Sequence, residues 1–451
     1  MEQNKILEGN LSKNIMLFFL PIWLGTFCQM LYNTADAVIV GNFVGKQALA
    51  AVGGPTGTII NLLVGFFVGL SSGAGVVIAQ YYGAQNIEKA SLSMHSSIAI
   101  AIGGGVLLMC VGIPLSPLML KAMGTPADIL EYAVIYIRIY FAGSVFNLVY
   151  NIGSGVLRAM GNSKKPLQFL IVSSIVNIVL DIVFVVYMNM GVMGAAVATV
   201  ISQAVSAVFV IITLMGGTDE RKLHLNKIAF DRQTCGEIFK IGIPTGLQSV
   251  LFSVSNITIQ SCINSFGTDA VAAWTSYGKL DAMFWMTLNS FGITVTTFVS
   301  QNFGAKNYAR VRQCVKVGVI LSSIATLTLA GMLYFGSVFF YRVFTNDVVV
   351  IEIGVHIMKI MAPFYVCYVG IEILSGAMRG VGDSIIPTLI TVFGICVLRI
   401  AWIFIVVPLN PVIDVAIISY PITWAVTSMM FILYYMFGGW FKRAQKRLEG
   451  Q

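Results

Sequence analysis

The sequence predicts an all-α membrane protein of twelve transmembrane helices, built as two parallel-repeat six-helix bundles with a central cleft and both termini cytoplasmic. Three observations carry that expectation: a composition unsuited to water, a regular series of apolar runs, and an internal repeat. Of 451 residues, 57% are hydrophobic and 10% are charged, where a soluble domain carries roughly 25% charged residues. A spanning helix needs about 20 apolar residues, so the chain provides for about a dozen spans and no sizeable extramembrane domain. The formal net charge of +8 lies in the loops between apolar runs. It reads as a topology signal, and no nucleic-acid surface is expected.

The polar stretch 1–13 has no signal-peptide pattern, so the first span, 14–41, is expected to direct its own insertion. Apolar runs and their breakers then place spans at 49–82, 92–116, 129–157, 166–188 and 193–216. After the longest polar stretch, 216–240, they continue at 236–264, 270–302, 313–340, 351–378, 385–408 and 413–438. Alternate loops differ sharply in charge. One set holds Lys89, Arg158, Lys164, Lys165, Arg221, Lys222, Lys306, Arg310, Arg379 and Lys442, while the other holds only Lys46, Lys121 and Arg342. The positive-inside rule therefore puts both termini in the cytoplasm, requires an even number of spans, and suggests the cell inner (plasma) membrane. The expected organisation is a first bundle at 1–215, a linker at 216–235, a second bundle at 236–440 and a basic tail at 441–451.

The two halves repeat. Gln80-Tyr81-Tyr82-Gly83-Ala84-Gln85-Asn86 recurs 221 residues later as Gln301-Asn302-Phe303-Gly304-Ala305-Lys306-Asn307. Arg158-Ala159-Met160-Gly161-Asn162-Ser163 recurs at the same offset as Arg379-Gly380-Val381-Gly382-Asp383-Ser384. Gly45 with Ala48, Ala50 and Ala51 matches Gly267 with Ala270, Ala272 and Ala273, and Pro21 matches Pro244. Repeats of six spans keep one orientation, and parallel bundles about a cleft are a transporter architecture. No HExxH, phosphate-binding loop or clustered histidines appear, so no enzyme is expected. The seven cysteines form no CxxC and read as buried free thiols.

These residues resemble the multidrug and toxin extrusion (MATE) family over essentially the whole chain. The motifs are Leu31-Tyr32-Asn33-Thr34-Ala35-Asp36, Gln80 to Ala84, Arg158 to Pro166, Asn177-Ile178-Val179-Leu180-Asp181 and Gly194-Ala195-Ala196-Val197-Ala198-Thr199. Acids in the first and fifth spans are similar to the DinF-type branch. The resemblance implies export of drugs or metabolites driven by Na⁺ or H⁺ through alternating access, with no other cofactor.

A charge inside a span costs ~2.5–3.5 kcal/mol on insertion scales and is a functional hypothesis by default. Asn33 and Asp36 are three apart, and Asn177 and Asp181 four apart, so each pair shares a helix face. Counting helical rise from the span ends puts Asp36, Asn177, Asp181 and Thr199 in the same half of the membrane, where they can converge. Oxygen ligands of this kind suit Na⁺, and two adjacent carboxylates can also exchange protons. The alternative is that the acids only tie helices together. The repeat supplies a control, because Asp36 faces Ile259 and Asp181 faces Trp402 in the second copy.

Tyr136, Tyr140, Asn147 and Asn151 form a polar stripe on the fourth span, and the resemblance places Tyr136 near the site. Asn151 is expected in the cleft. Lys279, Asp281, Lys359, Glu372 and Arg399 all read as buried in the second bundle, either as a structural salt-bridge network or as cleft lining. The resemblance allows Glu372 a part in binding. His356 reads as a satisfied polar residue, and Met283-Phe284-Trp285-Met286 as ordinary core or an adaptable wall. Pro21 is a candidate hinge. The expected function is cation-coupled antiport of small molecules, organic cations foremost, by a monomer in the lipid bilayer. A flippase of a lipid-linked precursor, or an exporter of an anionic metabolite, is the alternative.

Overall fold

The structure is a computed structural model that describes residues 5–217 and 222–449; Arg221 lies outside the described residues. In the first half the helices are α1 Leu11–Phe43, α2 Lys46–Gly53, α3 Pro55–Gly83, α4 Ile87–Ala122, α5 Ala127–Ala142, α6 Ser144–Ala159, α7 Lys164–Asp181 and α8 Gly191–Met215. The second half has α9 Arg232–Asn264, α10 Thr268–Gly304, α11 Tyr308–Arg342, α12 Val348–Met361, α13 Tyr365–Gly380, α14 Ile385–Thr391, α15 Leu398–Ile405, α16 Ile413–Ile417, α17 Ser419–Phe437 and α18 Trp440–Glu449. Among the described residues, eleven helical segments are long and apolar enough to cross a membrane. The pair α5 and α6, bent by 53°, makes a twelfth. Hydrocarbon offers the backbone no hydrogen bonds, so helices that satisfy their own are the available solution. Large apolar side chains such as Leu118, Ile175 and Phe335 stay exposed along the spans, as a lipid-facing surface requires.

The repeat is written into the backbone. Asn86 Oδ1 accepts from Lys89 N at 3.1 Å to start α4, and Asn307 Oδ1 accepts from Arg310 N at 3.2 Å to start α11. Gln85 (φ 56°) and Lys306 (φ 58°) both adopt the left-handed conformation, as do Gly161 and Gly382. A non-glycine residue rarely does so, yet the two halves do it at matched positions. Turn chemistry, rather than apolar content, sets where these spans end.

Two compact units form, one from residues 17–246 and the other from 1–16 with 247–451. The division falls inside α1 and α9, not in the linker expected at 216–235. The reason lies in the packing of α9. A Cβ on Gly73 would fall 2.5 Å from Ile238 O, one on Gly242 2.8 Å from Leu70 Cα, and one on Gly246 2.6 Å from Phe66 O. Small residues four apart on each helix, Gly69 and Gly73 against Gly242 and Gly246, let the backbones meet as in other membrane helix pairs. Cys235, Ile238 and Ile241 also join the core of Phe67, Leu70, Ile100 and Leu148. Asp231 caps the start of α9 by accepting from Thr234 N at 2.8 Å, and hydrogen bonds from Thr234 hold its carboxyl below the ordinary carboxylate value.

In the other unit the chain start is fastened to the turn between α10 and α11. Asn302 Nδ2 donates to Ile6 O at 3.2 Å, and Arg310 donates to the carbonyls of Ile6, Glu8 and Gly9 at 3.0–3.3 Å. All seven cysteines are free, but only Cys235, Cys314 and Cys396 are buried. Cys28, Cys262 and Cys367 are partly exposed and Cys110 fully so, because a span in lipid has an outward face that need not be covered by protein.

The glycine contact makes a direct test. Gly242→Val, which forces the α3 and α9 backbones apart, is expected to cost ~1–3 kcal/mol and to lower the detergent-solubilised unfolding temperature. Gly236→Ala, on the same helix with nothing within 4 Å of its added Cβ, is expected to leave it unchanged. Equal unfolding temperatures for the two variants would remove the contact from the account.

Candidate functional site

Four helices of the first unit bring polar residues to one place. Gln29, Tyr32 and Asp36 follow at intervals of three and four on α1. Ser173, Asn177 and Asp181 follow at intervals of four on α7, and Thr199, Gln203 and Ser206 at four and three on α8. Such spacing keeps each set on one helix face, and α5 adds Tyr136 and Tyr140. Asp36 lies against both Asp181 and Asn177. Tyr136 is in hydrogen-bonding reach of Thr199 and feels the charge of Asp36. Asp181 and Asn177 are 0% exposed, Thr199 5% and Asp36 8%. Tyr136, Asp36, Asn177, Asp181 and Thr199 therefore form one buried cluster.

The acids approach without a formed hydrogen bond. Asp36 Oδ1, both carboxylate oxygens of Asp181 and both amide atoms of Asn177 have no partner. Thr199 Oγ1 donates to Ala195 O at 2.9 Å, which leaves its lone pairs for the cluster. Buried acceptors with nothing to accept are costly. Carboxylate, carboxamide and hydroxyl oxygens suit a hard cation rather than a transition metal. Among the described residues no group of three or more His, Cys, Asp or Glu could hold a metal ion.

Asp181 is the last residue of α7, and a π-helical turn, Ile182–Tyr187, follows it. Such turns widen a helix and recur at functional sites; composition did not announce this one. The polar stripe of the fourth span is not on one straight helix. The chain breaks at Gly143, so Tyr136 and Tyr140 belong to α5, and Asn147 and Asn151 to α6. Asn147 Nδ2 still reaches Tyr140 Oη at 3.4 Å, and Asn151 Nδ2 reaches Asn147 Oδ1 at 3.1 Å. Asn33 is exposed and stays outside the cluster: a spacing of three brings it within about 60° of Asp36, and that edge of α1 is not covered. Pro21 lies within α1, which is helical from Leu11 to Phe43.

Below the acids is a cavity with about 30 Å³ open to the centres of water molecules, lined by Gln29, Tyr32, Asn147, Tyr150, Asn151, Leu170, Ser173, Ser174, Asn177, Ser202, Gln203 and Ser206. That is room for about two waters. Tyr32, Tyr150, Gln203 and the serines were not singled out from sequence. Their signal is the spacing: polar residues at three and four on α1, α7 and α8, each phased with an acid or with Thr199.

In the second unit the expected five-membered charge network does not form. Lys279 and Lys359 are exposed, because a long cationic chain reaches out of an apolar core when it can. Asp281 accepts from Tyr277 at 3.1 Å, Tyr365 at 2.8 Å and Trp285 Nε1 at 2.7 Å. Arg399, 1% exposed, donates to Thr423 Oγ1 at 3.0 Å and lies 3.9 Å from the Tyr420 ring centroid. Glu372 pairs with Arg379 at 3.7 Å and occupies the space that Gly292 leaves without a Cβ. His356 Nε2 meets Asp414 at 2.9 Å. Phe284 stacks on Tyr365 at 4.0 Å and is fully buried, so its run is core.

A multi-pass helical fold with paired buried acids inside one bundle defines a membrane transporter. The chain belongs to the MatE family, whose model matches residues 21–183 and 244–405, once in each half. MatE proteins are transporters, so this protein is not an enzyme. It is 28% identical over 446 residues to the probable multidrug resistance protein YoeA of Bacillus subtilis (strain 168), covering 97% of this chain and 96% of that one. It is 24% identical to the multidrug export protein MepA of Staphylococcus aureus (strain N315), covering 82% of each. The fold is that of an outward-facing multidrug resistance MATE family transporter, with a TM-score of 0.90 at 22% identity over 100% of this chain and 99% of that one.

A carboxamide in place of one acid brings a donor to buried oxygens that have none, which relieves the fold. Asp181→Asn is expected to raise the unfolding temperature in Na⁺-free neutral buffer, against the usual ~0.5–3 kcal/mol loss for a substitution. A clear fall would mean that the pair holds the helices together.

Proposed function

We propose that this protein is a cation-coupled antiporter that exports drugs or other small organic molecules, organic cations foremost, across the cell inner membrane by alternating access. One observation carries the reading: Asp36 and Asp181 face each other in a closed polar cluster with no donor on either oxygen of Asp181 or on Asp36 Oδ1. Asp36 and Asp181 bind the coupling ion, Na⁺ or H⁺, and Asn177 and Thr199 complete the oxygen shell. The names of relatives that span nearly the whole chain support the substrate class.

The energetics are sufficient. One charge crossing 100 mV supplies about 2.3 kcal/mol, which sustains roughly fiftyfold concentrative export per cation. Matching acids are missing from the second copy, where Ile259 is 1% exposed and Trp402 Nε1 donates to Val415 O at 2.8 Å. Coupling therefore belongs to the first bundle, and the second supplies a scaffold of fixed aromatic and ionic contacts. Pro21 removes one helical hydrogen bond from α1 and gives the segment bearing Asp36 a place to bend as the site fills and empties. The chain works as a monomer with cytoplasmic termini.

Reconstituted protein loaded with a fluorescent cationic dye tests this under separate Na⁺ and proton gradients. Wild type is expected to drive efflux with one gradient, and Asp36→Asn to lose at least ~90% of that driven flux. Undiminished gradient-driven efflux in the variant would overturn the assignment of the coupling site.

A further inference from the structure

The cavity beside the acids has a positive charge near it: Arg158 sits in the last turn of α6, the helix that supplies Asn147, Tyr150 and Asn151 to the lining. Tyr32 and Asn177, which both interact with Asp36, form one end of its lining. Tyr150 forms part of the rest, and it interacts with Arg158. Between them the lining is wettable. Ser174 and Ser206 donate to carbonyls of their own helices, at 2.7 Å and 3.2 Å, leaving lone pairs for guests. Gln203 Oε1 is buried with no partner, as expected of an acceptor that meets water.

The repeat shows what is unusual about Arg158. Its counterpart Arg379 has a carboxylate beside it, Glu372 at 3.7 Å. The counterpart of Glu372, 221 residues earlier, is Asn151, which lines the cavity. Among the described residues Arg158 forms no ion pair. The copy that holds the acid pair has thus kept the arginine and lacks its neutralising partner. A fixed positive charge at the end of a polar passage excludes cations electrostatically.

We propose that the cavity is a water-filled vestibule of the cation site and that unpaired Arg158 is the barrier that stops it from becoming a cation leak. Water in the vestibule exchanges with the shell of a cation held at Asp36 and Asp181. The field of Arg158 turns that cation back, so it crosses only with the conformational cycle. The role assigned to the vestibule rests on the coupling reading above; the barrier is tested without any substrate.

The measurement is uptake of ²²Na⁺, and separately of protons by an internal pH dye, into substrate-free proteoliposomes. Asn151→Glu installs beside Arg158 the partner that the second repeat already accommodates, and Arg158→Gln removes the charge. Each is expected to raise leak of the coupling cation at least ~10-fold, while Arg158→Lys stays tight. The ion that leaks identifies the coupling ion. Wild-type tightness in both folded variants, or a leak in Arg158→Lys equal to that of Arg158→Gln, would overturn the barrier. If Arg158→Gln does not fold, Asn151→Glu decides alone. Retained coupling in Asp36→Asn sinks the coupling site instead, whatever the leak assay returns.

Discussion

Hydrocarbon cannot solvate a polar group, and every feature of this protein answers that constraint. It forces the backbone into helices, confines caps and left-handed turns to span ends, and makes each charge within a span find a partner or an exit. Asp281 finds two tyrosines and an indole. Arg399 finds a hydroxyl and a ring face. Lys279 and Lys359 reach outward. Against that background the acid pair of the first unit stands out, because its oxygens are buried and unanswered. Buried oxygens left without a donor, rather than acidity as such, distinguish the site.

The two copies separate what the frame needs from what the chemistry needs. Both keep the asparagine caps, the left-handed residue after Gly-Ala and the glycine of the Arg158 and Arg379 turns. These are backbone requirements, met by the few side chains able to meet them. The two acids of the site are present in one copy only. The second copy fills the matching volume with Ile259 and Trp402, so a six-span bundle does not need the acids to stand. Its own charges are neutralised locally, as Glu372 is by Arg379.

Much of this was legible in the sequence. Span positions follow from apolar runs because the membrane makes one rule apply to the whole chain, and the twelve expected segments correspond to the helices within a few residues. Convergence of Asp36, Asn177, Asp181 and Thr199 followed from helical rise and spacing alone. Three things did not follow. The bend at Gly143 and the π turn after Asp181 are local backbone choices that hydropathy does not register. The separation of Lys279 and Lys359 from Asp281 depends on which way long side chains point. The cavity is lined from α1, α6, α7 and α8; Asn147, Asn151 and Asn177 stand out in the sequence, while the single serines and glutamines carry only their spacing until the helices are assembled.

The seating of Ile6 has a consequence for the order of assembly during synthesis. Its carbonyl is held by Asn302 and Arg310, which lie 296 and 304 residues further along. At the usual ribosomal pace of 5–20 residues per second, these partners emerge roughly 15–60 s after Ile6 itself. Residues 5–9 are therefore fastened in two stages: Asn14 Nδ2 holds the carbonyls of Lys5 and Glu8 at 2.6 and 3.0 Å as soon as α1 forms, and the contacts of Asn302 and Arg310 come only after α10 and the start of α11 have been made. A molecule whose second half fails to insert keeps the Asn14 contacts but lacks the donors from Asn302 and Arg310 on the Ile6 carbonyl, so seating of this segment reports completion of the far half of the chain.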